Sequence, residues 1–338
     1  MSNSRYKISL VFLVNGLAKM NKTKPLHVVA GVVYNSQGEI LLARRPVHTH
    51  QGGLWEFPGG KCQTGEAVEQ ALARELEEEL GIVVQQARPL IRISHAYPDK
   101  KVLLDVWHVE QWRGQAYGRE GQTVQWCRPN SLKNKQFPAA NHPIITAVQL
   151  PSLYLITPEP VSFQDKAFFY RLEACLDKQD ISLVQLRAKN LSARDYCYCA
   201  EKALRLCDRQ AAQLLINATA EMALSVGTHG VHLTSERLLA SVERPLRDDL
   251  WVAASCHSLE EVEHANRIGV DLIVLGPVHA TPSHSEASPL GWFEFCQLTE
   301  LANCPVFALG GMNVEEVPKA WAHGGQGVAA IRALWGKP

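Results

Sequence analysis

Two rhythms of apolar residues divide the chain. Up to about residue 150, short β-rich runs flank one long helical segment. His27–Tyr34 is apolar and β-rich, Asn35 to Gly38 is turn-forming, and Glu39–Arg45 is a second apolar run, a pattern that predicts a β-hairpin. Glu66–Leu80 contains neither Pro nor Gly and is rich in Ala, Leu and Glu, so it should be helical. Val68, Ala71, Leu72 and Leu76 give that helix one apolar stripe, and Gly81 stands where a left-handed cap belongs. Arg88–His95 and Val102–Gln111 read as strands joined by a turn at Asp99-Lys100-Lys101. Thr123–Cys127 reads as a further strand and residues 142–149 as a closing helix.

Beyond Pro151 the rhythm changes to short apolar runs alternating with amphipathic segments. The runs are Leu153–Thr157, Ser182–Leu186, Gln213–Ile216, Gly230–Leu233, Trp251–Ala254, Leu272–Leu275, Val306–Leu309 and Gly327–Ile331. Helical segments fall at 163–178, 193–210, 258–268, 292–302 and 313–323. Strands alternating with helices in this way predict a (β/α)8 barrel. The boundary lies between His142 and Ser152 with no low-complexity linker, so the halves should pack closely. The expected division is a leader at 1–24, a first domain at 25–150 and a second at 151–338. The leader, with Arg5 and Lys7 before an apolar run broken by Asn15-Gly16, is expected to be disordered or an upstream-start extension, its first 19 residues in particular.

Composition narrows the function classes. Lys plus Arg and Asp plus Glu both total 34, which argues against a basic nucleic-acid-binding face and for a small nucleotide as any nucleotide partner. The nine cysteines are odd in number and contain no C-x-x-C pair, as expected of a reduced, cytoplasmic protein without a disulfide framework. The one N-terminal apolar run is too short to span a membrane, and no membrane partner is expected.

The candidate chemistry centres on Gly60–Ile82. Glu75, Glu78 and Glu79 fall at i, i+3 and i+4, so their carboxylates share one helix face, and Arg74 can pair with Glu78. Pro58-Gly59-Gly60 is a tight turn that brings bare backbone near that face. A solvated acidic face is the bland reading; the whole spacing also fits a hard divalent cation, which takes oxygen ligands. Gly60, Glu66, Arg74-Glu75-Leu76, Glu78, Glu79 and Gly81 resemble the Nudix box of hydrolases that split nucleoside diphosphate linkages.

The resemblance extends to MutT-type Nudix hydrolases through EFPGGK at 56–61, YPDK at 97–100, GREGQ at 118–122 and FPAANHPI at 137–144. It implies a Nudix α/β/α sandwich and hydrolysis of 8-oxo-dGTP to 8-oxo-dGMP and pyrophosphate. It also implies Mg²⁺, with Mn²⁺ as the alternative ion, held by the Gly59 carbonyl, Glu75, Glu78, Glu79 and Glu120. Glu75, Glu78 and Glu120 would be catalytic, and Glu120 would be a ligand or the base that orients water. Lys61 would face phosphate, Asn141 would read the base edge, and Arg45 and Phe57 would line the base pocket, with Tyr97 and Asp99 nearby as further substrate-binding residues. His48 and His50 are better read as solvated loop residues.

The second half resembles thiamine phosphate synthase and its relative TenI, an aminothiazole tautomerase. The carrying words are VQLRAKN at 184–190, GVHL at 230–233, SLEEV at 258–262, GPVHATPSH at 276–284 and PVFALGGM at 305–312. The resemblance implies a phosphate or ligand site made by Gln185, Arg187, Lys189, Asn217, Thr281, Gly310 and Gly311, with a thiazole or thiamine phosphate as ligand. Departures stand beside it. The family's Asn-Asp is Asn217-Ala218, Thr234-Ser235-Glu236 replaces a second acidic ligand, and Pro277 stands where the tautomerase has its working His, with His279 two residues on. Three readings of the barrel stay open: a thiazole-phosphate-binding or tautomerase-like domain, a synthase with rearranged ligands, and an inert packing domain. The fusion itself suggests an alternative for the first half, hydrolysis of thiamine diphosphate or its damaged forms.

Overall fold

The computed structural model describes residues 25–49, 51–98, 100–178, 181–280 and 288–336. The expected leader at 1–24, His50, Asp99 and the segment 281–287 that holds Thr281 lie outside the described residues.

The first half contains β1 (Leu26–Val33), β2 (Ile40–Arg44), β3 (Trp55–Glu56), α1 (Val68–Leu80), β4 (Ile82–Ala96), β5 (Lys101–Gly114), β6 (Val124–Cys127) and α2 (His142–Gln149). They form two three-stranded sheets, β1-β5-β4 and β3-β2-β6. The expected hairpin does not form. β1 runs parallel to β5 from Leu26↔Val102 to Val33↔Val109, and only an isolated Tyr34↔Ile40 bridge links it to β2. The reason is visible in burial: Val29, Val32, Val33, Ile40, Leu41 and Leu42 are all fully buried. Val29, Val33 and Leu41 face the core beneath α1, whereas Val32, Ile40 and Leu42 face the core beneath α2. Runs apolar on both faces belong between two layers rather than in a half-exposed hairpin.

Helix α1 packs Ala71, Leu72, Leu76 and Leu80 into the core with Trp107 and Val109 of β5. Burial of each such leucine is worth about 1.5–3 kcal/mol. Gly81 ends the helix in the left-handed region at φ 70°, with its N–H on the Glu77 carbonyl at 3.0 Å. This fixes the carboxylate face of α1 over the Pro58–Gly60 turn.

The second half is a closed parallel barrel of eight strands. These are β7 (Leu153–Ile156), β8 (Leu183–Leu186), β9 (Gln213–Ile216), β10 (Gly230–Leu233), β11 (Trp251–Cys256), β12 (Leu272–Leu275), β13 (Val306–Leu309) and β14 (Gly327–Ala330). Around it lie α3 (Lys166–Lys178), α4 (Ala193–Arg209), α5 (Ala220–Val226), α6 (Ser235–Ala240), α7 (Leu259–Ile268), α8 (Gly291–Thr299), α9 (Val317–Ala322) and α10 (Arg332–Trp335). Tyr154, Leu183, Leu215, Ala253, Leu272, Val274, Phe307 and Ala329 fill the interior.

The halves dock through β4 and α2. Arg92 pairs with Glu300 at 2.9 Å, the Ser94 N–H reaches Asn303 Oδ1 at 3.1 Å, and the Arg88 guanidinium lies 3.9 Å from the Trp321 ring centre. Asn303, and Gln326 whose amide bonds the Ala147 and Leu150 carbonyls at the end of α2, lie just before β13 and β14. The first half therefore covers the strand N-terminal end of the barrel and leaves the opposite mouth to the barrel's own loops. Among the described residues no helix is long and apolar enough to cross a membrane.

Candidate active site

The Gly59–Gly60 turn is held against β1: the Val29 N–H donates to the Gly60 carbonyl and the Gly31 N–H to the Pro58 carbonyl, both at 2.8 Å. Gly59 has φ 149°, and a Cβ there would meet the Val29 carbonyl. A Cβ on Gly60 would collide with the Glu75 carboxylate. Two glycines are thus required because backbone and carboxylates approach so closely.

The three box carboxylates divide by environment. Glu79 accepts from the Gly59 N–H at 3.4 Å. Its carboxyl is pushed up to about 8 by burial, then by the neighbouring Glu56 and Glu75 charges, with Glu120 adding to them. Glu75 faces Gly60 and is tied to Arg74 at 2.8 Å. Glu78 is 57% exposed and bonds Arg74 at 3.2 Å, as the i, i+4 spacing predicts. Arg74 also reaches Glu66 at 2.8 Å and the Lys61 carbonyl at 3.1 Å, so one guanidinium fastens the helix to the incoming loop. The loop bearing Glu120 is fastened to the end of α1 by the Arg119 N–H and the Gln122 amide, which bond the Glu79 carbonyl at 2.9 and 3.0 Å.

Beside this face lies a cavity of about 320 Å³. Arg45, Phe57, Gly59, Lys61, Glu79, Tyr97 and Asn141 all border it. Sequence reasoning named each of these, and the fold brings them together from just beyond β2 and β4, from the turn, from α1 and from the turn before α2. Glu75, Glu78 and Glu120 do not border it. Asn141 is only 8% exposed, and its side-chain amide bonds no other described residue, which leaves donor and acceptor for a ligand. Phe57 stacks on Phe137 with centroids 5.9 Å apart and supplies a flat apolar wall. His48 is exposed, as read from its polar loop.

Sequence reasoning missed Glu56. It borders the cavity, bonds Arg45, and burial raises its carboxyl. The signal was present in the EFPGGK word, but a lone Glu on a two-residue strand has no spacing partner to mark it.

Among the described residues no group of three or more His, Cys, Asp or Glu side chains is arranged to hold a metal ion. The donor set still fits a hard divalent cation. It consists of carboxylate and carbonyl oxygens, and the half-buried Glu79 beside Glu56 and Glu75 is short of compensating positive charge.

In the barrel four of the named residues border two cavities over the strand C-termini. Lys189 and Asn217 border one of about 540 Å³ above β8–β10. Gly310 and Gly311 border one of about 320 Å³ above β13 and β14. Gln185 is buried, and Arg187 is tied to Glu159 at 2.6 Å. His279 borders neither cavity and lies 3.9 Å from Glu316.

The family described as NUDIX domain matches residues 29–147, and the family described as thiamine monophosphate synthase matches residues 153–334. The 8-oxo-dGTP diphosphatase of Escherichia coli (strain K12) is 38% identical over 126 residues, covering 37% of this chain and 98% of the relative. The CTP pyrophosphohydrolase of the same organism is 36% identical over 124 residues, covering 37% of this chain and 91% of the relative. The candidate thiamine-phosphate synthase 2 of Aquifex aeolicus (strain VF5) is 36% identical over 184 residues, covering 54% of this chain and 97% of the relative. The chain therefore belongs to two families at once, a Nudix hydrolase domain followed by a barrel of the thiamine monophosphate synthase family.

Proposed function

We propose that the N-terminal half is a Mg²⁺-dependent nucleoside triphosphate pyrophosphohydrolase that converts 8-oxo-dGTP to 8-oxo-dGMP and pyrophosphate in the cytoplasm, removing a damaged precursor before DNA replication. The observation that carries it is the cavity where Asn141, Phe57 and Arg45 meet Glu79 and the Gly59 backbone. A heterocycle would lie against Phe57, with its polar edge on the Asn141 amide, which donates and accepts at once. Lys61 would face the phosphate chain.

Gly59, Glu75, Glu78, Glu79 and Glu120 would hold the ion, which when bound supplies phosphoryl polarisation and a lower water pKa. Water oxygen adds to phosphorus, the bond to the pyrophosphate oxygen breaks, and pyrophosphate leaves. Glu120 takes the proton of the attacking water. Arg74 holds Glu75 and Glu78 in place for this work. The nine unpaired cysteines support a reducing compartment.

The CTP-hydrolysing relative makes the base a real choice, and the fused barrel keeps thiamine diphosphate as the second substrate reading. Hydrolysis of 8-oxo-dGTP, dGTP, CTP and thiamine diphosphate by the intact chain tests both. Preference for 8-oxo-dGTP supports the first reading, and preference for thiamine diphosphate replaces it. For the barrel, binding of a thiazole or thiamine phosphate fits the two mouth cavities better than a working synthase, because the synthase's acidic metal ligand is replaced by Ala218.

A further inference from the structure

The barrel's family implies a divalent ion at the mouth, and the donors for it are missing. Ala218 puts a buried methyl group where the family has a carboxylate. The Thr234 hydroxyl accepts from the Arg237 N–H at 3.2 Å and so caps α6. The Ser235 hydroxyl bonds Glu261. Glu236 is the one carboxylate bordering the cavity over β8–β10. A hard divalent ion needs several oxygens at once, and these residues do not provide them.

Positive charge stands there instead. Lys189 and Arg237 border the same cavity, together with Asn217 after β9 and Tyr196 of α4. Among the described residues neither cation forms an ion pair, whereas nearby Arg187 is neutralised by Glu159 at 2.6 Å. Two cations against one carboxylate leave a net positive cavity of about 540 Å³, open to solvent and bordered by the Asn217 side chain. A guanidinium keeps its charge at every physiological pH and bonds phosphate oxygens in pairs.

We propose that the barrel mouth binds a phosphate-bearing anion without a divalent ion, with Lys189 and Arg237 in the electrostatic place of the metal. The site rests on the barrel's own residues and on its family, not on the activity of the N-terminal half. Binding survives chelation and weakens with added salt, because both cations are partly solvated.

The test is calorimetric titration of the intact chain with inorganic pyrophosphate, and separately with inorganic phosphate, in EDTA. Chelation keeps divalent ions from the box carboxylates, and the barrel variants separate heat at the barrel mouth from any binding at Lys61. The expected result is one site for at least one of the two anions, weakened about tenfold or more by Arg237→Ala and by Lys189→Ala, the scale of one charge-assisted hydrogen bond. Arg237→Gln, which keeps most of the side-chain size, gives the same loss, and unchanged melting temperatures show that the variants remain folded. The proposal is overturned if neither anion binds in EDTA, if binding appears only with Mg²⁺, or if folded variants bind as tightly as the parent chain.

Discussion

Gln326 donates its side-chain amide to the Leu150 carbonyl at 3.0 Å, and the same nitrogen serves the Ala147 carbonyl at 3.0 Å. A residue at the start of a barrel strand thus satisfies the last carbonyls of the helix that closes the Nudix half. The contact is buried, so it joins the halves mechanically.

Gln326→Leu leaves both carbonyls without that donor. Each orphaned buried carbonyl costs about 1–3 kcal/mol, and the variant removes one unpartnered oxygen, Gln326 Oε1, so a net loss of about one such group remains. Urea unfolding should show this loss, with nucleotide hydrolysis by the folded variant unchanged. Stability equal to that of the parent chain would show that the amide clamp contributes nothing.

Gly60→Ala addresses the closeness of turn and helix. The added methyl group must displace the Glu75 carboxylate, which Arg74 holds from the other side. Hydrolysis should fall by about a hundredfold or more, the reported scale for a small misplacement in an active site. Circular dichroism should be unchanged. Full activity would remove Glu75 from the mechanism.

Much of this was legible in the chain. Eight apolar runs marked all eight barrel strands because a parallel strand covered on both sides is apolar throughout. The same property misled the reading of His27–Tyr34: a run buried on both faces does not announce its partner, and β1 chose β5 over the nearer β2. Helices α5 and α6 escaped notice because seven and six residues are too few to show a 3.6-residue period. The cavity residues were named from quoted words, yet Glu56 was missed and the separation of Glu78 from the cavity needed the fold, since helix spacing alone does not say which carboxylate turns inward.

The barrel interior should make the protein acid-sensitive. His232 is fully buried between Tyr154 at 3.0 Å and Ser255 at 2.8 Å, and burial lowers its pKa to about 3. The unfolded chain, with a histidine pKa of about 6.5, binds the proton more tightly. Stability is therefore full above about pH 6.5 and is lost as pH falls from there toward about 3. Unfolding free energy measured across that window should decline, and His232→Gln should flatten the decline. An unchanged slope in the variant would place the acid sensitivity elsewhere.

Metal removal gives a separate prediction. EDTA should abolish hydrolysis, and added Mg²⁺ should raise the melting temperature of the intact chain. Glu78→Gln, nearly equal in shape, should cost about a hundredfold or more in turnover, within the several kcal/mol a metal ion supplies. Undiminished turnover in that variant would refute the ligand assignment.

The central claim is the choice of substrate, and kcat/KM of the intact chain for 8-oxo-dGTP against dGTP tests it most directly. The account predicts a preference for the oxidised nucleotide of at least about tenfold, as one added hydrogen bond at Asn141 would give, and loss of that preference in Asn141→Ala. Equal, slow turnover of both nucleotides would contradict it.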